Sequence, residues 1–409
     1  MGIFLPLVIP TLLASLKQNV DVENREDDID DLFFDEDVAL SSMNRLDGNK
    51  VLVRTCELED LALGLETIVL LLEELQHVMY PFVGEIADAI GNLLSSPHED
   101  VSTFAMFAMP LIVTCVGRAG VGIGEVLEFC VGHICRFLAN GDGDSIGAEA
   151  ECTCFQKLKE VIFFAATDWR TFAGCTGKVE IVIDDDAVEK LARDWNGLNA
   201  QQIHAVVEVI GARLDMLLRR RAIRYAESKM SEMDEEFDQE EREMFEIKGK
   251  EEAEIQFMMS EVLGMIIKTH ALRFVRCEVV TGSLIGKLRE MSSETCLVDD
   301  RKFAIFIFDD IIEFALDELE NGIKKGIIDG IVEELMDGVR KSEGNSGLLL
   351  AATHGCLMLL KKHQLVLGTE RVADMGKLLR EVATAMDGKT GDNEEDAQLN
   401  CLEALEEIK

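Results

Sequence analysis

The sequence predicts an all-α chain built as an array of paired helices, and three observations carry that prediction. Residues 98–115 read as a helix with Val101, Phe104, Ala105, Ala108, Met109 and Ile112 on one apolar stripe. Residues 80–96 repeat the same period in Phe82, Val83, Ile86, Ala87, Ile90, Leu93 and Leu94, and a polar turn with Pro97 joins the two helices. Such a pair cannot hide its remaining apolar surface alone and has to stack on another. The third observation is that helix starts near Thr55, His98, Ser145, Asp299, Gly344 and Asn393 place neighbouring copies roughly 43 to 49 residues apart, the period of HEAT and armadillo arrays. The expected fold is an α-solenoid (superhelix) of such repeats.

Composition agrees. The chain has 409 residues, 48% of them hydrophobic and only 6% aromatic, so a large core of Leu, Ile, Val, Ala and Met is available. Five prolines and few alternating Val/Thr/Tyr runs argue against a sheet protein, and only residues 178–184, KVEIVID, read as a strand. Of the eleven cysteines, Cys115, Cys130, Cys135, Cys356 and Cys401 fall on apolar helix faces and read as reduced core residues, not a disulfide framework. The formal net charge of −38 repels nucleic acid phosphates and anionic lipid and favours basic protein partners; an acidic surface also serves solubility alone.

Taken in order, residues 4–16 form an apolar helix without a terminal cap, as expected of a repeat whose partner lies upstream. No basic region precedes it, and Pro6 and Pro10 interrupt it, so it does not read as a signal sequence; Pro6 also stands where a myristoylation signal needs Ser or Thr. No stretch is expected to span a membrane. An acidic loop is expected at about 21–50, then a long helix over 55–76 and the pair described above. A glycine-rich turn at 117–124 leads into helices over 125–138 and 151–166, with irregular chain to 197. A long helix over 200–230 runs into a second acidic loop at about 231–254, a charged connection read as solvated or partly helical, ahead of an apolar helix at 257–267. Helices over 272–291, 299–316, 319–340, 344–363 and 369–386 complete one array, residues 1–409, of roughly seven pairs.

The opening FLPLVIPTLL, VRTCELEDLALGLETI at 53–68, HEDVSTFAMFAMPLIVTC, the acidic interruption at 233–254 and FAIFIFDDIIEFA at 303–315 follow one another as in the importin-β (karyopherin-β) family. The succession most resembles the importin-five branch of these nuclear transport receptors. The resemblance implies the central portion of a longer receptor that carries basic cargo with lysine-rich import signals through the nuclear pore, shuttling between cytoplasm and nucleus. It implies no catalytic activity and no cofactor. Ran-GTP and nucleoporins are implied as partners if the missing repeats are supplied, since the family's Ran-binding repeats lie largely upstream.

Cargo contact is expected on the second helix of each pair, the one lining the concave face of a solenoid. Asp329, Glu333 and Asp337 recur at intervals of four beside Ile323, Ile327 and Leu335, with Glu334 adjacent. Like charges so placed cost the helix a few tenths of a kcal/mol per pair, which a lysine-rich ligand would remove. Glu85, Asp88 and Asn92 form a similar stripe, and Glu125 with Glu128 another. Read alone, each stripe is equally an ordinary solvated face. Neutralising Asp329, Glu333 and Asp337 together is expected to cost much of the affinity. The functional alternative is a HEAT scaffold that assembles a multiprotein complex through apolar ridges, as a monomer like the receptor.

The remaining motifs point to no chemistry. Asn140, Asp142, Asp144 and Glu151 have EF-hand spacing, but Ser145 stands where the loop needs Gly, so no metal site is expected. Cys152 and Cys154 lack a second pair. The carboxylates Asp309 and Asp310 sit in an apolar helix, where at least one is expected to cap or hydrogen-bond a neighbouring turn. Arg219, Arg220, Arg221 and Arg224 are expected to pair with the acidic run downstream.

Overall fold

The computed structural model describes residues 4–16, 40–44, 50–96, 98–140, 147–175, 177–184, 187–188, 191, 197–231, 239–293, 295–342, 344–387 and 391–408. The helices are α1 (Leu5–Leu16), α2 (Thr55–Leu75), α3 (Val83–Leu93), α4 (Glu99–Arg118), α5 (Gly124–Asn140), α6 (Ala148–Ala166) and α7 (Ala200–Ser231). They continue with α8 (Gln239–Val275), α9 (Ile285–Met291), α10 (Val298–Asp310), α11 (Asn321–Arg340), α12 (Ser346–Leu367), α13 (Thr369–Met386) and α14 (Asp392–Glu407). Where the sequence suggests one continuous array, the chain gathers into two compact units, Met1–Leu198 with Glu208–Met258, and Asn199–Val207 with Met259–Lys409.

In the first unit α2, α4 and α6 stack as one layer and α3 and α5 pack behind them as the second. The core is the stripe read from sequence: Val101, Ala105, Ala108, Met109 and Ile112 of α4 are buried, and Phe104 is half-buried at its edge. Glu99 and Asp100 open α4 and Arg118 closes it, each favourable to the helix dipole. Among the described residues α4 is the one helix long and apolar enough, by length and composition, to cross a bilayer; charges stand at both its ends, Pro110 lies within it, and most of it is buried between its neighbours. In the second unit α10, α12 and α14 form the first layer and α9, α11 and α13 the second. The first helices begin at Thr55, Glu99 and Ala148 in one unit and at Val298, Ser346 and Asp392 in the other, which is the repeat read from sequence.

Two acidic segments depart from the loops expected. Leu40–Asn44 (β1) and Lys50–Arg54 (β2) pair antiparallel, with Ser42 opposite Leu52. The rest of the first acidic stretch, residues 21–39 and 45–49, lies outside the described residues. In the second, only residues 232–238 do; from Gln239 the chain is helical. Glu, Lys, Gln and Ala are strong helix formers, and Glu252 is neutralised by α7, with Arg224 Nη2 at 2.7 Å and Arg221 Nε at 3.5 Å. Of the arginine patch, Arg221 and Arg224 thus pair with the downstream acidic run as expected, whereas Arg220 turns to Glu151 of α6, 3.7 Å away. Residues 178–184 form no strand.

Asp309 and Asp310 cap nothing. They lie at the end of α10, where the helix widens into a π turn, Ile311–Ala315. Asp309 is buried with His354 Nδ1 3.8 Å from its Oδ2, and Asp310 has Lys268 Nζ at 3.8 Å. Burial pushes both carboxyls up, Asp309 to about 7 and Asp310 to about 6. Cys115, Cys130, Cys135, Cys356 and Cys401 are buried and free, and burial lifts the thiols of Cys115, Cys135 and Cys401 to about 12, well away from reactivity.

Candidate protein-binding face

Stacking fixes which residues of successive repeats meet. Side chains about one period apart lie side by side: Cys115 Sγ reaches Leu72 O, 43 residues away, and Lys361 pairs with Glu403, 42 residues away. On the second-helix layer the same offset brings Gly91 of α3 against α5. A Cβ at Gly91 would stand 2.9 Å from His133 Nε2 and 3.1 Å from Phe129 Cε2, so the absent side chain lets the two helices approach.

That approach sets the acidic stripes of the first unit in register. Val83, Ile86, Ala89 and Ile90 face the core, which turns Glu85, Asp88 and Asn92 outward; all three are exposed. Leu127, Cys130 and Val131 do the same on α5, leaving Glu125 and Glu128 exposed. Glu85 and Glu128 sit one period apart, at equivalent positions of neighbouring repeats. Among the described residues no basic side chain pairs with Glu85, Asp88, Glu125 or Glu128. Arg136 is the next cation on α5, about 12 Å further along the helix at 1.5 Å per residue, and its Nε is donated to Gly132 O at 3.1 Å. The face is therefore a set of uncompensated carboxylates, with Asn92 bonded through Nδ2 to Asp88 O at 3.3 Å.

The stripe on α11 is built differently. Ile323 is exposed, so the apolar edge drawn from sequence is not continuous. Asp329 pairs with Arg371 of α13. Glu334 accepts from Ser292 Oγ at 2.7 Å and has Arg289 Nε of α9 at 3.5 Å. Asp337 accepts from Arg340 Nη1 at 2.9 Å and Lys341 Nζ at 3.0 Å; burial raises its carboxyl, but the two cations together hold it below the usual range. Only Glu333 is exposed and carries no partner among the described residues. The repulsion expected along this helix is offset inside the protein, by arginines on the flanking second helices. Arg371, 42 residues from Asp329, was legible as a charge of opposite sign one period away.

No protein-family profile matches the chain, and no curated protein sequence does. Solved structures do. The chain superposes over its full length on the karyopherin Kap121p bound to Pho4p, with 14% identity and a TM-score of 0.67. It does so equally on Kap121p bound to Nup53p, at 14% identity and 0.68, and on Kap121p bound to the SUMO protease Ulp1p, at 13% and 0.65. In each case the chain spans 33% of the length of the Kap121p chain. At this identity the likeness is one of fold: from end to end the chain has the helical-repeat architecture of a karyopherin.

Proposed function

We propose that this chain is a cargo-binding stretch of a nuclear import receptor, and that it holds basic protein segments against the paired acidic stripes of α3 and α5. The observation that carries the reading is the set Glu85, Asp88, Glu125 and Glu128, exposed in adjacent repeats without a cation among the described residues, while on α11 of the second unit Asp329, Glu334 and Asp337 are each met by a cation of the chain itself. Kap121p, whose fold the chain shares, has been solved with several bound proteins, which supports a protein ligand. A lysine-rich segment laid across two neighbouring second helices would meet four carboxylates at once. Each such exposed contact is worth about 0.2–1 kcal/mol and weakens with salt. Asp329, Glu333, Glu334 and Asp337 are a secondary contact in this reading, with Glu333 the one free group. The receptor would work as a monomer shuttling between cytoplasm and nucleus, with nucleoporins and Ran-GTP as partners of the longer protein, and without catalysis.

A scaffold reading draws on a different observation: Ile223 and Tyr225 of α7 and Met244 and Ile247 of α8 are all more than half exposed. Partners held there would bind in a salt-tolerant way. Titrating a labelled lysine-rich import signal at low and physiological salt, against the wild-type chain and the quadruple neutral variant of Glu85, Asp88, Glu125 and Glu128, separates the two.

A further inference from the structure

After α6 and a short 3-10 turn, Cys175 and residues 177–179 lie across the C-terminal ends of α2 and α4, in neither helix nor strand. They are held there almost entirely by side chains acting on their backbone. Gln76, just past α2, is 4% exposed and has a left-handed φ of 41°, a conformation that side-chain-bearing residues seldom adopt. Its amide donates from Nε2 to Val179 O at 2.8 Å and accepts from Val179 N at 3.0 Å, so one side chain pairs with the strap as a strand edge would. Arg118, closing α4, donates from Nη2 to Cys175 O at 2.9 Å and Gly177 O at 3.1 Å. One strap side chain is selected as well: Lys178 Nζ lies 2.7 Å from Glu73 Oε1 and 2.7 Å from Glu74 Oε1. Hydrogen bonding to Glu73, then to Glu74, holds the ammonium well above its ordinary range. Beyond this point the strap lets go, with Val182 69% exposed.

Backbone groups bound regardless of sequence, together with a pair of surface carboxylates that takes one ammonium, are the components of a site for extended peptides. The segment that fills it belongs to a connection from 167 to 199, far longer than helix pairs of this kind need. We propose that the C-terminal ends of α2 and α4 form a slot for an extended, lysine-bearing peptide, and that Cys175 and residues 177–179 occupy it as an exchangeable strap. The slot is separate from the α3–α5 face and stands whether or not that face binds cargo. Because the strap is tethered, it acts at an effective concentration in the millimolar range, and a ligand in trans binds well only when the strap is released.

The test uses a fluorescent peptide of residues 177–184, GKVEIVID, and two full-length proteins, the wild-type chain and the Lys178→Ala/Val179→Pro variant. The substitutions remove the ammonium and the N–H that Gln76 accepts. The expected result is saturable binding to the variant at least about tenfold tighter than to the wild type, lost when the peptide's own lysine is replaced by alanine or when Gln76→Ala is added. Equal, weak binding to both proteins, with the variant's far-UV circular dichroism unchanged, overturns the proposal. Hydrogen exchange on the wild-type chain provides a reading that needs no variant. Amides at 177–180 should exchange by local opening far faster than those in the middle of α4, and faster still with excess peptide. Protection equal to that of α4, unaffected by peptide, makes the segment a fixed structural element and refutes exchange.

Discussion

Replacing Glu151 by Gln should be among the most damaging single substitutions in the first unit. Glu151 lies in the first turn of α6 with its side chain fully buried, and Arg213 of α7 is 1% exposed. Arg213 Nε stands 2.8 Å from Oε1 and Nη2 2.6 Å from Oε2, a two-pronged pair, and Arg220 Nη2 approaches Oε2 at 3.7 Å. A glutamate so held is committed to these arginines and is not available as the last ligand of a calcium loop. Glu151→Gln keeps the shape and removes the charge, leaving a buried guanidinium uncompensated, which costs about 3–5 kcal/mol. For a unit of this size each kcal/mol moves Tm by about 2–4 °C, so a fall of about 6–20 °C is expected. Differential scanning calorimetry at neutral pH reads it. The double variant Glu151→Leu/Arg213→Met, which removes both charges and keeps apolar volume, should recover most of the loss. A Glu151→Gln protein within about 1 kcal/mol of wild type, or a double variant as damaged as the single, would refute the argument that this is a desolvated pair.

Asp309 makes the second unit's stability depend on pH. Burial, with repulsion from Asp310 and Glu313, pushes its carboxyl up to about 7 against the attraction of His354, while the unfolded chain releases that proton near pH 4. The folded state thus binds more protons between about pH 4 and 7, and stability falls as pH rises through that window, by up to about 4 kcal/mol. Asp310, raised to about 6 chiefly by burial and opposed by Lys268, and His354, raised by its bond to Asp309, act in the same sense. Asp309→Asn should flatten the urea-unfolding profile over this range and raise stability at pH 8; an unchanged slope would contradict it. Gly355→Ala should lower Tm through a loss of about 1–3 kcal/mol, because a Cβ there runs into Asp309 Oδ1 and lies 2.8 Å from Leu335 Cδ2; a neutral effect would mean the site is looser than described. Neutralising Asp329, Glu333 and Asp337 together should change affinity for a lysine-rich signal by less than about threefold, since the first and last are already paired and surface pairs contribute little. A larger loss, seen by anisotropy, would move the main contact to α11.

The helices and their period were legible because burial on stacked pairs imposes a helical stripe on each element. Val101, Ala105, Met109 and Ile112 announce α4 without reference to anything distant. What the stripes carry was less legible, since a charge is read alone in sequence and in company in the fold. Asp337 meets its cations within its own helix end, but Asp329 and Glu334 meet theirs on other repeats, and only the offset of one period would have revealed it. On α8 the pairing of Arg221 and Arg224 with Glu252 was legible as opposite charges close in sequence, but the burial of that pair was not. The pairing of β1 with β2 was masked by its acidic flank. The Gln76 clamp left no trace at all, because nothing local distinguishes a glutamine that ends a helix from one that grips a strand of chain 103 residues away.

The central claim is that uncompensated carboxylates in adjacent repeats hold a basic segment of protein. Its most direct test is fluorescence anisotropy of a labelled lysine-rich import signal with Glu85→Gln/Asp88→Asn/Glu125→Gln/Glu128→Gln beside the wild-type chain, at low and physiological salt. The account predicts saturable binding to wild type that weakens steeply with salt, and at least about a tenfold loss in the variant with its melting curve intact. Binding that matches a charge-matched scrambled peptide, or that survives the four substitutions unchanged, would contradict it.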